Sequence, residues 1–185
     1  MAWIRVVDEK DAKGRLAEAY REVSDRRGKV ADIMKVHSLL PDAMVRHLEL
    51  YLSVMYAENG LTREERELVG VVVSRANRCE YCVRHHAEAL DHYWMDRGRT
   101  AAAARDYREA ELTDRQRALA EYADRLTRNP GSVSAGELHR LREQGLSDEE
   151  ILSANLAASY FNFVNRIALG LGVSACAEET SGYRY

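Results

Sequence analysis

Apolar residues along most of this chain recur every three or four positions, which is the spacing of one face of an α-helix. Met44, Leu48 and Met55 show this spacing in the segment 42–57. The run Val71-Val72-Val73 alone would suggest a strand, but the length of its segment favours a helix. The pattern predicts helices over 9–26, 42–57, 62–77, 80–96, 114–128, 135–143 and 148–170. We therefore predict an all-α fold.

Four of these helices begin with a capping signal, a Ser or Thr followed three residues later by Glu or Gln. In this arrangement the hydroxyl accepts a hydrogen bond from a free backbone N–H, and the longer side chain reaches back to the N–H of the cap residue. The four pairs are Thr62/Glu65, Thr113/Gln116, Ser134/Glu137 and Ser147/Glu150. The only two prolines, Pro41 and Pro130, also suit helix boundaries.

Composition narrows the class of protein. The 185 residues are 46% hydrophobic and 31% charged, as in an ordinary soluble protein, and no segment resembles a linker, so we expect one domain over 1–185. The net charge of −3 argues against a nucleic-acid partner. The chain contains no run of about 18 apolar residues, so we predict no membrane span. The first residues lack the apolar stretch of a secretion signal, so we expect the cytoplasm.

The last predicted helix, 148–170, is apolar on nearly every side. Such a helix is either central in the fold or in contact with another subunit. Asn162, Asn165 and Arg166 are polar exceptions on it. They would lie at a subunit interface or near a pocket, and the sequence leaves both open.

Two of the three cysteines, Cys79 and Cys82, are three residues apart at the predicted start of the helix 80–96. Cysteines at this spacing lie on one face of the first turn, where their sulfurs can bond. The free N–H groups and the dipole of a helix start favour a thiolate. Cys176 has no partner in register, and we expect it to be a plain thiol.

One histidine and one glutamate complete a candidate catalytic set. His86 lies four residues after Cys82, on the same stripe as both cysteines, and can take a thiol proton near neutral pH. Glu67 on the preceding helix could orient His86, which gives the pattern of an activated nucleophile. His85 points about 100° away and is expected to be ordinary.

Two further residues are candidates for the wall of the pocket. Tyr81, between the cysteines, is expected to be a pocket wall or a packing residue, because a tyrosine is a poor base near neutral pH. Ser74 lies seven residues after Glu67 on the same helix face, where it would line the pocket or pack in the core.

A zinc site is the alternative reading of the cysteine pair. It would need two more ligands from His85, His86 or Cys176. A helix that starts at the pair would place all its ligands on one side of the zinc ion, which does not suit tetrahedral coordination. We therefore favour redox chemistry and predict neither a metal nor a cofactor.

The order Glu67, eleven residues, Cys79-x-x-Cys82-x-x-x-His86 resembles the motif of alkylhydroperoxidase D, in the carboxymuconolactone decarboxylase-like superfamily. The segments 2–6, 160–167 and 170–173 are similar to its peroxidase-related branch. The resemblance implies a single helical domain with the cysteine pair at the start of a central helix, a motif core over 61–97, and assembly into trimers or hexamers.

The resemblance also implies a function. Cys82 would attack a peroxide, Cys79 would resolve the product to a disulfide, and an external dithiol would restore both, with His86 aligned by Glu67. Alkylhydroperoxidase D has a histidine where this chain has Tyr81, so the proton relay would be shorter or the substrate different. A general thiol–disulfide oxidoreductase and a non-catalytic zinc-binding or interaction protein remain alternatives. Superfamily members that lack the cysteine pair include a true decarboxylase, so the pair counts against that activity.

Overall fold

The computed structural model describes residues 2–56, 58 and 60–174, and these residues form nine α-helices and no strand. The helices are α1 (Gly14–Arg27), α2 (Asp32–Lys35), α3 (Pro41–Met55), α4 (Arg63–Ala76), α5 (Glu80–Trp94), α6 (Arg97–Arg105), α7 (Asp114–Arg128), α8 (Ala135–Glu143) and α9 (Asp148–Leu171). Three short 3₁₀ turns lie at Glu9–Asp11, Tyr107–Glu109 and Pro130–Ser132. The predicted all-α fold is confirmed.

All four predicted capping boxes form, at the starts of α4, α7, α8 and α9. At α4, the hydroxyl of Thr62 accepts from the N–H of Glu65 at 3.2 Å, and the carboxylate of Glu65 accepts from the N–H of Thr62 at 2.9 Å. Each cap of this kind stabilises a protein by about 1 kcal/mol.

The predicted helix 80–96 ends earlier, and a further helix follows it. α5 stops at Trp94 because Met95 adopts a left-handed conformation with φ 49°. The side chain of Asp96 then accepts from the N–H of Arg99 and caps α6. The sequence pattern does not predict α6, because this cap lacks the Glu or Gln that marks the other four starts.

The predicted first helix, 9–26, is also divided. A 3₁₀ turn at Glu9–Asp11 is separated from α1, which begins at Gly14 with a left-handed φ of 54°. The four-residue α2 is too short to show a helical period, and the pattern does not predict it either.

α4 lies at the centre of the core. Ten consecutive residues of it, Glu65 to Ser74, are buried, and the helix packs against α5, α6, α7 and α9. Burial on every side explains why the apolar run at 71–73 resembles a strand in sequence. Each buried valine or leucine stabilises the fold by roughly 1.5–3 kcal/mol, so α4 is held firmly in place.

α9 has a buried face and a face with exposed apolar side chains. Its exposed large residues are Leu152, Leu156, Phe163 and Leu169. The expected assembly into trimers or hexamers remains a prediction. Within the described part of the chain, no helix combines the length and apolarity that crossing a membrane requires.

Candidate active site

The cysteine pair lies at the junction of α4 and α5. Arg78 adopts a left-handed φ of 59°, and the N–H of Cys79 donates to the carbonyl of Ser74 at 2.9 Å, so the chain turns sharply between the two helices. Cys79 is the N-cap residue of α5 and Cys82 lies in its first turn. Both are free thiols and buried, with 1% and 2% of their surfaces exposed.

The two thiols share a hydrogen bond that makes them unequal acids. The Cys82 thiol and the N–H groups of Cys82 and Tyr81 donate to the sulfur of Cys79 and lower the pKa of Cys79, although burial opposes them. The same shared hydrogen bond and burial raise the pKa of Cys82 well above its usual value, although a hydrogen bond from Asn165 opposes them. The first proton lost from the pair therefore leaves the negative charge on Cys79.

A cavity of about 100 Å³ lies beside the pair. Apolar and aromatic side chains from α1, α3, α5 and α9 form most of its wall. Cys82 and His86 line this cavity, whereas Cys79 does not. A small molecule in the cavity would meet Cys82, with Cys79 behind it. Accessibility therefore favours Cys82 as the reacting thiol, while acidity favours Cys79.

His86 and Glu67 form the predicted contact between α5 and α4. The Nδ1 atom of His86 lies 2.6 Å from Oε2 of Glu67. A carboxylate can only accept, so Nδ1 carries a hydrogen and the Nε2 atom of a neutral His86 keeps its lone pair. The ring of His86 packs edge-on against Phe161, with ring centroids 4.3 Å apart. The imidazole is thus fixed in both orientation and tautomer.

Glu67 is fully buried, and the sequence reasoning missed its second partner. Arg63, one helical turn earlier, lies 2.5 Å from the other carboxylate oxygen. Burial alone would raise the pKa of Glu67, but His86, Arg63 and Arg27 outweigh burial and hold that pKa below its usual value. The i, i+4 spacing of Arg63 and Glu67 was the available signal.

Gly70 allows the rings of His86 and Phe161 to approach α4. A Cβ atom at this position would lie 2.8 Å from two ring atoms of Phe161 and 3.3 Å from Cγ of His86. Only glycine leaves room for this packing. In the sequence, Gly70 was visible only as a glycine within an apolar helix.

Asn165 of α9 connects the cysteine pair to a buried polar network. Its side-chain amide donates to Oγ of Ser74 at 3.2 Å, and its oxygen accepts from Nδ2 of Asn77 at 3.0 Å. Asn165 also forms a hydrogen bond with Cys82 and is fully buried, so it lies inside the subunit. Ser74 is buried beneath this network and does not line the cavity.

Tyr81 and His85 also lie on the cavity wall. The ring of Tyr81 stacks against His85 with centroids 4.3 Å apart, and its hydroxyl accepts from the N–H of Ile33 at 3.1 Å. Among residues 2–56, 58 and 60–174, no three His, Cys, Asp or Glu side chains come together as a metal site. Cys176 lies outside the described residues.

Comparison with known proteins identifies related sequences and folds. The model of the carboxymuconolactone decarboxylase family matches residues 41–125. An uncharacterized peroxidase-related protein from Ralstonia eutropha JMP134, described as an alkylhydroperoxidase AhpD core, has a TM-score of 0.87 and 26% identity. That match covers 97% of this chain and 94% of the other. A peroxidase-related protein from Silicibacter sp. TM1040 has a TM-score of 0.82 and 26% identity, over 91% and 88% of the two chains.

A more distant neighbour is the debrominase Bmp8, with a TM-score of 0.77 and 18% identity over 93% of this chain and 91% of the other. A cysteine-to-alanine variant of that enzyme is known in complex with 2,3,4-tribromopyrrole. At this identity the likeness concerns the fold alone. No curated protein sequence matches the chain significantly.

Proposed function

We propose that this chain, a member of the alkylhydroperoxidase D and carboxymuconolactone decarboxylase-like superfamily, is a thiol-dependent peroxidase that reduces a small organic hydroperoxide. One observation carries the proposal: Cys82 lines a cavity of about 100 Å³, while Cys79 is hydrogen-bonded behind it. A peroxide in the cavity meets one sulfur, and the second sulfur is already within reach of the first.

In the first step, the sulfur of Cys82 attacks the terminal oxygen of the hydroperoxide. The S–O bond forms, the O–O bond breaks, and the alkoxide leaves with the electron pair. As this happens, the proton of Cys82 passes along the existing hydrogen bond to the thiolate of Cys79. The unequal acidity of the pair thus gives Cys79 the role of proton acceptor while Cys82 reacts. The product at Cys82 is a sulfenic acid.

In the second step, Cys79 gives up the proton that it took from Cys82, attacks the sulfenic acid sulfur and closes the disulfide. The oxygen of the sulfenic acid leaves and becomes water when it gains a proton. His86, held by Glu67, exchanges protons with the leaving oxygen through its Nε2 atom, directly or through a water. An external dithiol that is small enough to enter the cavity then reduces the disulfide by exchange.

The burial of the pair distinguishes this proposal from a general thiol–disulfide oxidoreductase. A folded protein disulfide would have to reach two cysteine residues that each expose at most 2% of their surface. A hydroperoxide of a few heavy atoms can enter a cavity of about 100 Å³. The observed accessibility therefore favours a small oxidant.

Single-turnover oxidation tests the proposal. Fully reduced protein would be mixed with one equivalent of tert-butyl hydroperoxide, and the remaining thiols would be alkylated and located by mass spectrometry. We expect Cys79 and Cys82 to lose their thiols while Cys176 keeps its own. Cys79→Ser should stop at a sulfenic acid on Cys82, which dimedone traps, and Cys82→Ser should not react.

The control variant Cys176→Ser should react as the wild type does. A sulfenic acid on Cys79 in the Cys82→Ser protein would reverse the two roles, as the acidity of Cys79 alone would suggest. Retention of all three thiols in the wild type would contradict the peroxidase function itself.

A further inference from the structure

A chain of three hydrogen-bonding side chains runs from the cavity towards the surface. Tyr160 of α9 lines the cavity, and its hydroxyl lies 2.8 Å from Nε2 of His47 on α3. The Nδ1 atom of His47 lies 3.4 Å from Nε2 of His37, which is only half-buried. The Nδ1 atom of His37 lies 3.0 Å from the carbonyl oxygen of Ile33. Both nitrogens of the buried His47 are thus engaged. We call Tyr160, His47 and His37 the proton chain.

The last contact fixes the direction of the others. A carbonyl oxygen can only accept, so Nδ1 of His37 carries a hydrogen. When His37 is neutral, its Nε2 atom accepts from Nδ1 of His47, and Nε2 of His47 accepts from the hydroxyl of Tyr160. All hydrogens then point away from the cavity.

The opposite arrangement forms when a proton from the cavity binds the oxygen of Tyr160, the former hydrogen of Tyr160 passes to Nε2 of His47, and the Nδ1 hydrogen of His47 passes to Nε2 of His37. The bond from Nδ1 of His37 to the carbonyl of Ile33 is the same in both arrangements. His37 then donates to Nδ1 of His47, His47 donates from Nε2 to the oxygen of Tyr160, and the hydroxyl of Tyr160 can point into the cavity. His47 stays neutral in both arrangements, in agreement with burial, which lowers its pKa to about 4. Only the half-buried His37 changes charge.

We propose that Tyr160, supplied with a proton by His47 and His37, protonates the alkoxide that leaves when Cys82 attacks a hydroperoxide. This inference rests on the proposed function. As the O–O bond breaks, its electron pair on the leaving oxygen takes the proton of Tyr160. Tyr160 takes the Nε2 hydrogen of His47, and Nδ1 of His47 takes the Nε2 hydrogen of His37. The transfer ends in the outward arrangement with His37 neutral, and a proton that enters from the cavity reloads the chain by the reverse steps.

The surroundings suit this role. The charged or titratable groups that act on Tyr160 are Tyr51 of α3, Cys82 of α5 and Arg27 of α1. Burial lowers the pKa of His47, and the charge of His37 lowers it further. Burial also lowers the pKa of His37, although the carbonyls of Ile33 and Met34 oppose it, so His37 takes up its proton below the usual histidine pKa. Of the two protons that leave with the alcohol and the water, Cys79 holds the one that it took from Cys82, and His86 can pass that proton to the leaving water. The alkoxide needs the other. The proton chain would serve the first release and His86 the second.

Nitrogen NMR of the isotopically labelled, reduced protein tests the chain without any peroxide. Ring nitrogen shifts would be followed between about pH 5 and 8, where histidines titrate. As His37 takes up a proton at the lower pH, the hydrogen of His47 should move from Nδ1 to Nε2 without a change in its charge. If His47 keeps one tautomer throughout, the chain is only structural and the inference is overturned, whether or not the protein reduces peroxides.

Rates of Cys82 oxidation by two oxidants provide the second test. tert-Butyl hydroperoxide releases a strongly basic alkoxide, whereas peracetic acid releases acetate, which needs no proton. Tyr160→Phe should slow the first reaction at least about a hundredfold, the low end of general-acid effects, and the second by much less. His47→Gln should show the same selectivity, and the double variant should be no slower than Tyr160→Phe.

The matched control is Tyr122→Phe. Tyr122 is also buried, but it does not line the cavity, and its hydroxyl accepts from Nδ2 of Asn155 at 2.7 Å. This variant should leave both rates unchanged. Equal slowing of both oxidants by Tyr160→Phe would mean that Tyr160 only shapes the cavity, which refutes the inference. If neither oxidant attacks the wild type, the proposed function fails. The tautomer of His47 would then still show whether the proton chain can reverse.

Discussion

Gly70→Ala offers a direct test of how the site is packed. The added Cβ would lie 2.8 Å from Phe161 and 3.3 Å from His86. Both rings line the cavity, so they can give way only by moving into it and away from α4. Alanine gains about 1 kcal/mol of helix propensity over glycine. Overpacking of a core costs about 1–3 kcal/mol. The net result should be a loss of up to about 2 kcal/mol in the free energy of unfolding.

The same substitution should also slow the oxidation of Cys82, because the ring of His86 is pushed from its place against α4. Urea unfolding and single-turnover oxidation would measure the two effects. Gly170→Ala is the matched control, since no heavy atom lies within 4 Å of its Cβ and it should gain up to about 1 kcal/mol. In the double variant Gly70→Ala/Phe161→Leu, the shorter leucine makes room for the added Cβ and should restore part of the lost free energy of unfolding. A Gly70→Ala protein that is more stable than the wild type and equally reactive would refute this reasoning.

Three further predictions concern stability. Glu67→Gln should cost about 3–5 kcal/mol at neutral pH, because it leaves Arg63 buried without its carboxylate. Since the folded pKa of Glu67 is lowered, this advantage of the wild type should shrink as pH falls below the usual carboxyl pKa. Urea unfolding of both proteins at several pH values would measure it. A difference in stability that does not change with pH would contradict the prediction. His47 has a folded pKa of about 4, so the wild type should lose up to about 3 kcal/mol as the pH falls from its unfolded value of about 6.5. His47→Gln should lack this loss, and identical acid profiles would contradict the assignment. Thr62→Ala should lower the free energy of unfolding by about 1 kcal/mol, and an unchanged urea midpoint would show that the capping box contributes nothing.

The success of the helix predictions follows from the range of the forces behind them. A capping box involves residues three positions apart, and all four that the sequence predicts are present. The start of α6 also depends on a local contact, between Asp96 and the N–H of Arg99, but this cap has no second side chain to make it visible. The sequence thus predicts the start of a helix reliably when both residues of a capping box are present.

The contacts in the site are also easier to predict when their residues are close in sequence. The contact between Glu67 and His86 spans 19 residues and joins two helices linked by one tight turn. Register along the chain allows this contact, and the family resemblance selects Glu67 among the neighbouring glutamates. The contact between Asn165 and Ser74 spans 91 residues, and the contact between His47 and Tyr160 spans 113. Both depend on how α9 packs against α4 and α3, and no pattern within a single helix specifies that packing. The sequence therefore reveals the residues that would do the chemistry, whereas the polar groups that would tune the sulfur and supply protons emerge only when α9 is in place.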